Sequence, residues 1–237
     1  MKKGRGQHVS RYLWCEDSRS GYQFLRAVLG ELLPDITVET KGGNTALRKA
    51  ANKIQPDGNQ YYIFMDRAQD NPDVIREAKH LINQTAGKEN VHIIWVHSFE
   101  FVLLSFELLD AWIFPEEDEL REKRKNLLRQ RETFIRMVSS TGDAAGLDEF
   151  RSTFEAFGSR NSEQIAAKLL YEITRNTGFE TGKSKLGDCF IVSCCEWKER
   201  KDDDLCGLDG ERINAGEKAR LLAERSALKE ALDEMRM

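Results

Sequence analysis

Acidic residues follow two short runs of the chain that have strong β-strand character. The first run, residues 11–15, is followed by Glu16, and the second, residues 60–65, is followed by Asp66. Asp70 comes shortly after Asp66, directly before an Asn-Pro pair. Carboxylate oxygens are the ligands that Mg²⁺ prefers in proteins. If the two runs are strands of one parallel sheet, their carboxyl ends meet at one edge, where these side chains could hold a divalent metal.

The hydrophobic pattern around these acids predicts an alternation of strands and helices over the first 110 residues. The predicted strands cover residues 11–15, 36–40, 60–65 and 91–96. Each is followed by a segment whose apolar residues recur with helical spacing, and turn-forming residues lie between the segments. This alternation is typical of a mostly parallel sheet flanked by helices, with right-handed crossovers.

The character of the chain changes after Pro115. Helical patterns dominate from there, over residues 116–138, 147–157, 162–174 and 215–237. One further strand is predicted at residues 189–194. We therefore expect an α/β domain at residues 8–114 and a mainly helical C-terminal region at residues 115–237 that packs on it.

Composition narrows the classes of protein to consider. With 40% hydrophobic and 32% charged residues, the chain can bury a core and is not globally disordered. A formal net charge of -4 gives no overall attraction to nucleic acid, so any basic surface must be local. No apolar run approaches the roughly 20 residues that span a bilayer, and no apolar signal-peptide core follows the basic N-terminus. We expect a cytoplasmic protein without a membrane segment.

Four cysteines cluster late in the chain, at Cys189, Cys194, Cys195 and Cys206. Four thiolates can close a structural zinc site. However, no Cys-x-x-Cys pair is present, and adjacent residues of a strand point to opposite faces. Buried free thiols are the preferred interpretation, and zinc is the alternative.

The order strand–Glu, helix, strand, helix, strand–Asp resembles the TOPRIM fold of topoisomerases, primases and the overcoming-lysogenization-defect nucleases. The resemblance covers residues 10–110. In that family the glutamate after the first strand serves in acid/base chemistry or metal binding, and an Asp-x-Asp pair after the third strand binds magnesium. The resemblance therefore gives Glu16 the first role and makes Asp66 the first aspartate of the pair.

The chain departs from the family pattern at the second aspartate of that pair, where it has Ala68. Loss of one carboxylate would weaken a magnesium site and could abolish a two-metal mechanism. Three explanations are open. Ala68 is an engineered inactivating substitution, or it is natural in a degenerate module that binds without cutting, or Asp70 substitutes for the missing ligand. We favour the first explanation.

The resemblance adds three further candidates for the site. Glu100 begins the helix after the fourth strand, where it would complete the acidic cluster as an acid does in some relatives, or would only favour the helix dipole. Lys183 and Lys185 form a basic turn. In the overcoming-lysogenization-defect nucleases a late lysine offsets charge on the scissile phosphate. Lys183 and Lys185 are therefore catalytic candidates, and the alternative is that they belong to an ordinary basic turn.

Taken together, the resemblance implies a nuclease that uses Mg²⁺ or Mn²⁺ on DNA or transfer RNA. Such modules act in bacterial anti-phage defence with a separate ATPase partner, and a degenerate interaction protein without catalysis is the alternative. The helical region offers surface for a partner or for a second copy of the chain. Its last predicted helix carries an apolar stripe that needs cover, from the chain itself or from another subunit: Leu221, Leu222, Leu228 and Leu232.

Overall fold

The computed structural model describes residues 9–68, 70–114, 119–141, 144–154, 157–177 and 215–236. Several sequence-based predictions lie outside the described residues. They concern Lys183, Lys185, the predicted strand at residues 189–194 and the four late cysteines. These stay predictions.

In the described part of the chain, four parallel strands form a sheet with the order β2-β1-β3-β4. The strands are β1 (Arg11–Cys15), β2 (Ile36–Thr40), β3 (Gln60–Asp66) and β4 (Val91–Val96). The predicted α/β class and the predicted strands of the first 110 residues are confirmed. Because β1 and β3 are neighbours and run in the same direction, the residues that follow them share one edge of the sheet.

Five helices accompany the sheet in the first half of the chain: α1 (Ser20–Leu32), α2 (Asn44–Asn52), α3 (Pro72–Thr85), α4 (Phe99–Ser105) and α5 (Leu109–Ile113). Ser98 caps α4, because its side chain accepts a hydrogen bond from the Phe101 amide. The α1 helix begins after Arg19, which makes no side-chain cap hydrogen bond. Just before this helix, the Asp17 side chain accepts hydrogen bonds from the amides of Arg19 and Gly21.

The second half of the described chain is helical: α6 (Glu119–Lys123), α7 (Lys125–Thr141), α8 (Ala144–Thr153), α9 (Ser162–Thr174), α10 (Ala215–Glu224) and α11 (Leu228–Arg236). The prediction for α9 is confirmed at both ends. The single helix predicted at residues 215–237 is two helices. The Ser226 hydroxyl lies at the break, where it donates to the Leu222 carbonyl and accepts from the Leu228 amide, so the side chain competes with the backbone hydrogen bonds of a helix.

Hydrophobic residues are buried on both faces of the sheet. One face packs against α2 and α3, around Ile63, Met65 and Leu81. The other face packs against α1, α4 and the later helices in a continuous core. Leu228 and Leu232 of α11 belong to that core, with 0% and 2% of their surface exposed. The apolar stripe is therefore covered by the chain itself, the first of the two alternatives that the sequence left open.

Residues from distant segments of the chain contact β1. The Arg11 guanidinium donates to the Met235 carbonyl at 2.6 Å and forms an ion pair with Asp35 at 2.9 Å.

Among the described residues, no helix is both long and apolar enough to cross a membrane.

Candidate functional site: an acidic cavity

A cavity of about 340 Å³ opens at the carboxyl edge of the sheet, where β1 and β3 end. Its wall carries five acidic residues: Glu16, Asp17, Asp66, Glu100 and Glu163. Apolar side chains from α1, α4 and the strands complete the wall. We call this space the acidic cavity. The structure thus brings together Glu16, Asp66 and Glu100, three of the residues selected from the sequence.

Glu16 is positioned by the loop that follows the neighbouring strand β2. The Gly43 amide donates to the Glu16 carbonyl at 2.8 Å, and the Lys41 amide donates to the Cys15 carbonyl at 2.9 Å. Gly42 and Gly43 have φ angles of 73° and 115°, which favour glycine. The two glycines therefore let the loop turn tightly against the end of β1 and hold Glu16 at the edge.

Asp66 ends β3, and its carboxyl lies in an environment that disfavours a negative charge. It keeps some exposed surface, yet burial raises the pKa of its carboxyl well above the usual range, and the charges of Glu16, Glu163 and Glu100 raise it further. The pKa of Glu16 is raised for the same reasons, by burial first and by the charge of Glu163 next. These acids therefore crowd negative charge into a poorly solvated space.

Glu163 is a further acid of this wall, and its sequence context does not single it out. This residue lies in the first turn of α9, and its carboxylate accepts a hydrogen bond from the Asn71 side chain at 3.2 Å. In the sequence it looks like an ordinary acid at a helix N-terminus, favourable to the helix dipole. Only the packing of α9 against the sheet edge shows that Glu163 belongs to the acidic cavity.

Asp70 is not on the wall of the acidic cavity. Its two carboxylate oxygens accept hydrogen bonds from the Ser162 hydroxyl at 2.6 Å and the Ser162 amide at 2.7 Å. An ion pair with Arg151 at 2.5 Å completes its contacts. Through these contacts Asp70 links the loop after β3 to α8 and α9. These contacts favour a structural role, and its role as a metal ligand stays a prediction.

Ala68, like Asp70, is not on the wall of the acidic cavity. The side chain is completely buried and lies on the wall of a second cavity, of about 330 Å³, between the sheet edge and α3. We call this second cavity the α3 groove. Asp66 lies on the walls of both cavities. An aspartate at position 68 would therefore start from the α3 groove and would need the loop after Asp66 to shift before it met Glu16.

The acidic cavity has the side chains that bind a divalent cation, but these side chains are not arranged as a metal centre. Its side chains offer carboxylate oxygens, the ligands of Mg²⁺ and Mn²⁺, and their crowding would be relieved by a positive charge. Among the described residues, however, no three His, Cys, Asp or Glu side chains are grouped closely enough to hold a metal ion. Glu16, Asp66 and Glu100 would hold the metal ion once their carboxylates move closer together.

Comparisons of the chain with protein-family models, with curated proteins and with solved structures found no match. The interpretation of the acidic cavity therefore depends on its own residues and geometry.

Proposed function

We propose that the protein is a metal-dependent nuclease of TOPRIM type that acts on DNA or transfer RNA. The observation that carries the proposal is the acidic cavity. Glu16 and Asp66 end neighbouring parallel strands and share its wall with Glu100. The same two positions, Glu16 and Asp66, carry the sequence resemblance to the TOPRIM family.

In this proposal the raised pKa of Glu16 has a chemical use. A carboxyl that keeps its proton closer to neutral pH than an ordinary glutamate suits a general acid or base. Asp66 and Glu100 would help to hold Mg²⁺ or Mn²⁺ beside it. A bound divalent cation would supply positive charge next to a phosphodiester, whose transition state carries extra negative charge.

The wider setting of the proposal follows from the resemblance. On the basis of this resemblance, the protein would be an effector of bacterial anti-phage defence that a separate ATPase partner inhibits. Lys183 or Lys185 would offset charge on the scissile phosphate. The helical surface of residues 115–237 is the place proposed for the partner, or for a second copy of the chain.

The second candidate function is an interaction protein that keeps the fold and lacks catalysis. Two observations favour it. Ala68 replaces an acid of the family pattern, and the carboxylates of the described residues are not gathered into a metal centre. Both functions use the same fold, so cleavage and metal binding must be measured directly.

The first experiment measures cleavage of plasmid DNA, single-stranded DNA and transfer RNA with Mg²⁺ or Mn²⁺. For a nuclease, Glu16→Gln and Asp66→Asn are expected to lower the rate by about a hundredfold or more, since each removes a group from the reacting centre. Asp73→Asn is the matched control, because that acid is exposed on α3, outside the acidic cavity. Calorimetric titration with Mn²⁺ gives a second readout, in which Asp66→Asn weakens binding and Asp73→Asn does not.

Ala68→Asp tests whether the chain is an inactivated form. If Ala68 inactivates the nuclease, the unsubstituted protein cuts poorly, and Ala68→Asp produces metal-dependent cleavage. The position of Ala68 in the α3 groove argues against a direct ligand role for this side chain. If both proteins are folded and neither cuts any substrate with either metal and with its partner present, the nuclease proposal fails and the interaction protein is retained.

A further inference from the structure

The α3 groove has an aromatic and apolar wall and shares one lining residue, Asp66, with the acidic cavity. Trp95 of β4 lies on its wall beside Ile75, Ala78 and Ile82 of α3. Ile82 is one of few large hydrophobic residues with high exposure in the described chain, at 45%. Because Asp66 lies on the walls of both cavities, one extended ligand could occupy the two together.

Two basic residues, Arg67 and Lys79, lie on the same wall and are exposed. The ion pairs of α3 in the described chain involve Asp73, Arg76 and Glu77. Neither Arg67 nor Lys79 forms an ion pair with any described residue. In a chain with a formal net charge of -4, these two cations are free to bind an anion. The α3 groove therefore pairs local positive charge with an aromatic surface.

We propose that the α3 groove binds one nucleotide of a nucleic-acid strand, next to the phosphate that lies at the acidic cavity. The base packs on Trp95, and Arg67 and Lys79 bind its backbone phosphate. A base needs an aromatic or apolar surface and its phosphate needs a cation, and the groove presents both at one end of the sheet. This inference rests on the proposed function, and it names where the substrate strand would lie.

The test measures binding of a fluorescein-labelled single-stranded oligothymidylate by anisotropy, with EDTA present so that cleavage cannot interfere. Trp95→Ala is expected to weaken binding about tenfold, because stacking of one base contributes on that order, and Trp95→Phe should restore most of the affinity. Arg67→Ala is expected to weaken binding and to reduce its salt dependence by about one counterion. Arg26→Ala is the control, since Arg26 is exposed on α1, which packs on the opposite face of the sheet.

The outcomes separate this inference from the proposed function. Binding that depends on Trp95 and Arg67, without cleavage by any form of the protein, supports the groove and refutes the nuclease. Metal-dependent cleavage with a KM that is unchanged in Trp95→Ala and Arg67→Ala refutes the groove and supports the nuclease. A folded protein that does not bind the oligonucleotide also refutes the groove. Arg67→Ala keeps the test valid if Trp95→Ala fails to fold, because the Arg67 side chain is exposed.

Discussion

Replacement of Asp70 by asparagine should destabilise the fold more than replacement of any exposed acid. The Asp70 side chain is only 7% exposed and accepts hydrogen bonds from Arg151 and from the amide and hydroxyl of Ser162. Removal of one partner from a buried ion pair costs about 3–5 kcal/mol. Two features reduce this figure. Asparagine keeps one acceptor oxygen, and Arg151 also pairs with Asp148 at 2.9 Å. We therefore expect Asp70→Asn to lower the free energy of unfolding by about 2 kcal/mol.

Urea unfolding, followed by circular dichroism, measures this change. The matched control is Asp73→Asn, which removes the same charge from the same loop and helix region. Asp73 pairs with Arg76, but the two side chains are 77% and 60% exposed, so the cost should stay below about 0.5 kcal/mol. Equal losses in the two variants would refute the argument, because the contacts of Asp70 would then contribute no more than a surface pair. A change in the slope of the transition would point instead to a change in the unfolded or folded ensemble.

Three further predictions follow from the acidic cavity and the core. The folded protein keeps a proton on Asp66 at pH values where the unfolded chain has lost it, so the stability that Asp66 contributes is lost as the pH rises from about 3.9 through the raised pKa of the folded state. Asp66→Asn should therefore be more stable than the unsubstituted protein at about pH 7 and equal to it at about pH 3, and urea unfolding that shows no such pH dependence would contradict this. Glu163→Gln should lower the pKa of Glu16, measured by NMR titration of the carboxyl carbons, and an unchanged titration would place Glu163 outside the cavity. Leu228→Ala should lower the free energy of unfolding, measured with urea, by about 2–5 kcal/mol. Glutamate at both Leu228 and Leu232 should abolish the helical circular dichroism signal, because both side chains are buried. A folded monomer of that double variant would show that α11 is not part of the core.

The strands and the α/β class were predictable because their signals are local. Each strand is a short segment rich in β-branched, aromatic or other apolar residues and bounded by turn residues, and the helices between them show clear apolar spacing. The α3 helix is an example, since Asn71 and Pro72 mark its start and the Asn71 side chain caps it. The placement of Glu16 and Asp66 at one edge then follows from the direction of parallel strands.

The rest of the candidate site depends on contacts between distant parts of the chain. Nothing near Glu163 in the sequence indicates that α9 packs against the loop after β3. The same contact explains Asp70, which looks like a metal ligand in the sequence and is held by Ser162 and Arg151 in the structure. The face of the loop on which Ala68 lies was also unpredictable, because residues beyond the end of a strand no longer follow its alternation.

The contact between Arg11 and Met235 has a consequence for the folding of the chain. It joins the first strand to the last described helix across a sequence separation of 224 residues. Contacts of such long range slow folding, because a large loop must close before the contact can form. During synthesis, β1 and β3 emerge early, while Glu163 and the cover provided by α11 arrive late. The acidic cavity can therefore be completed only after most of the chain has left the ribosome, and a shorter nascent chain would expose the apolar face of the sheet without a finished site.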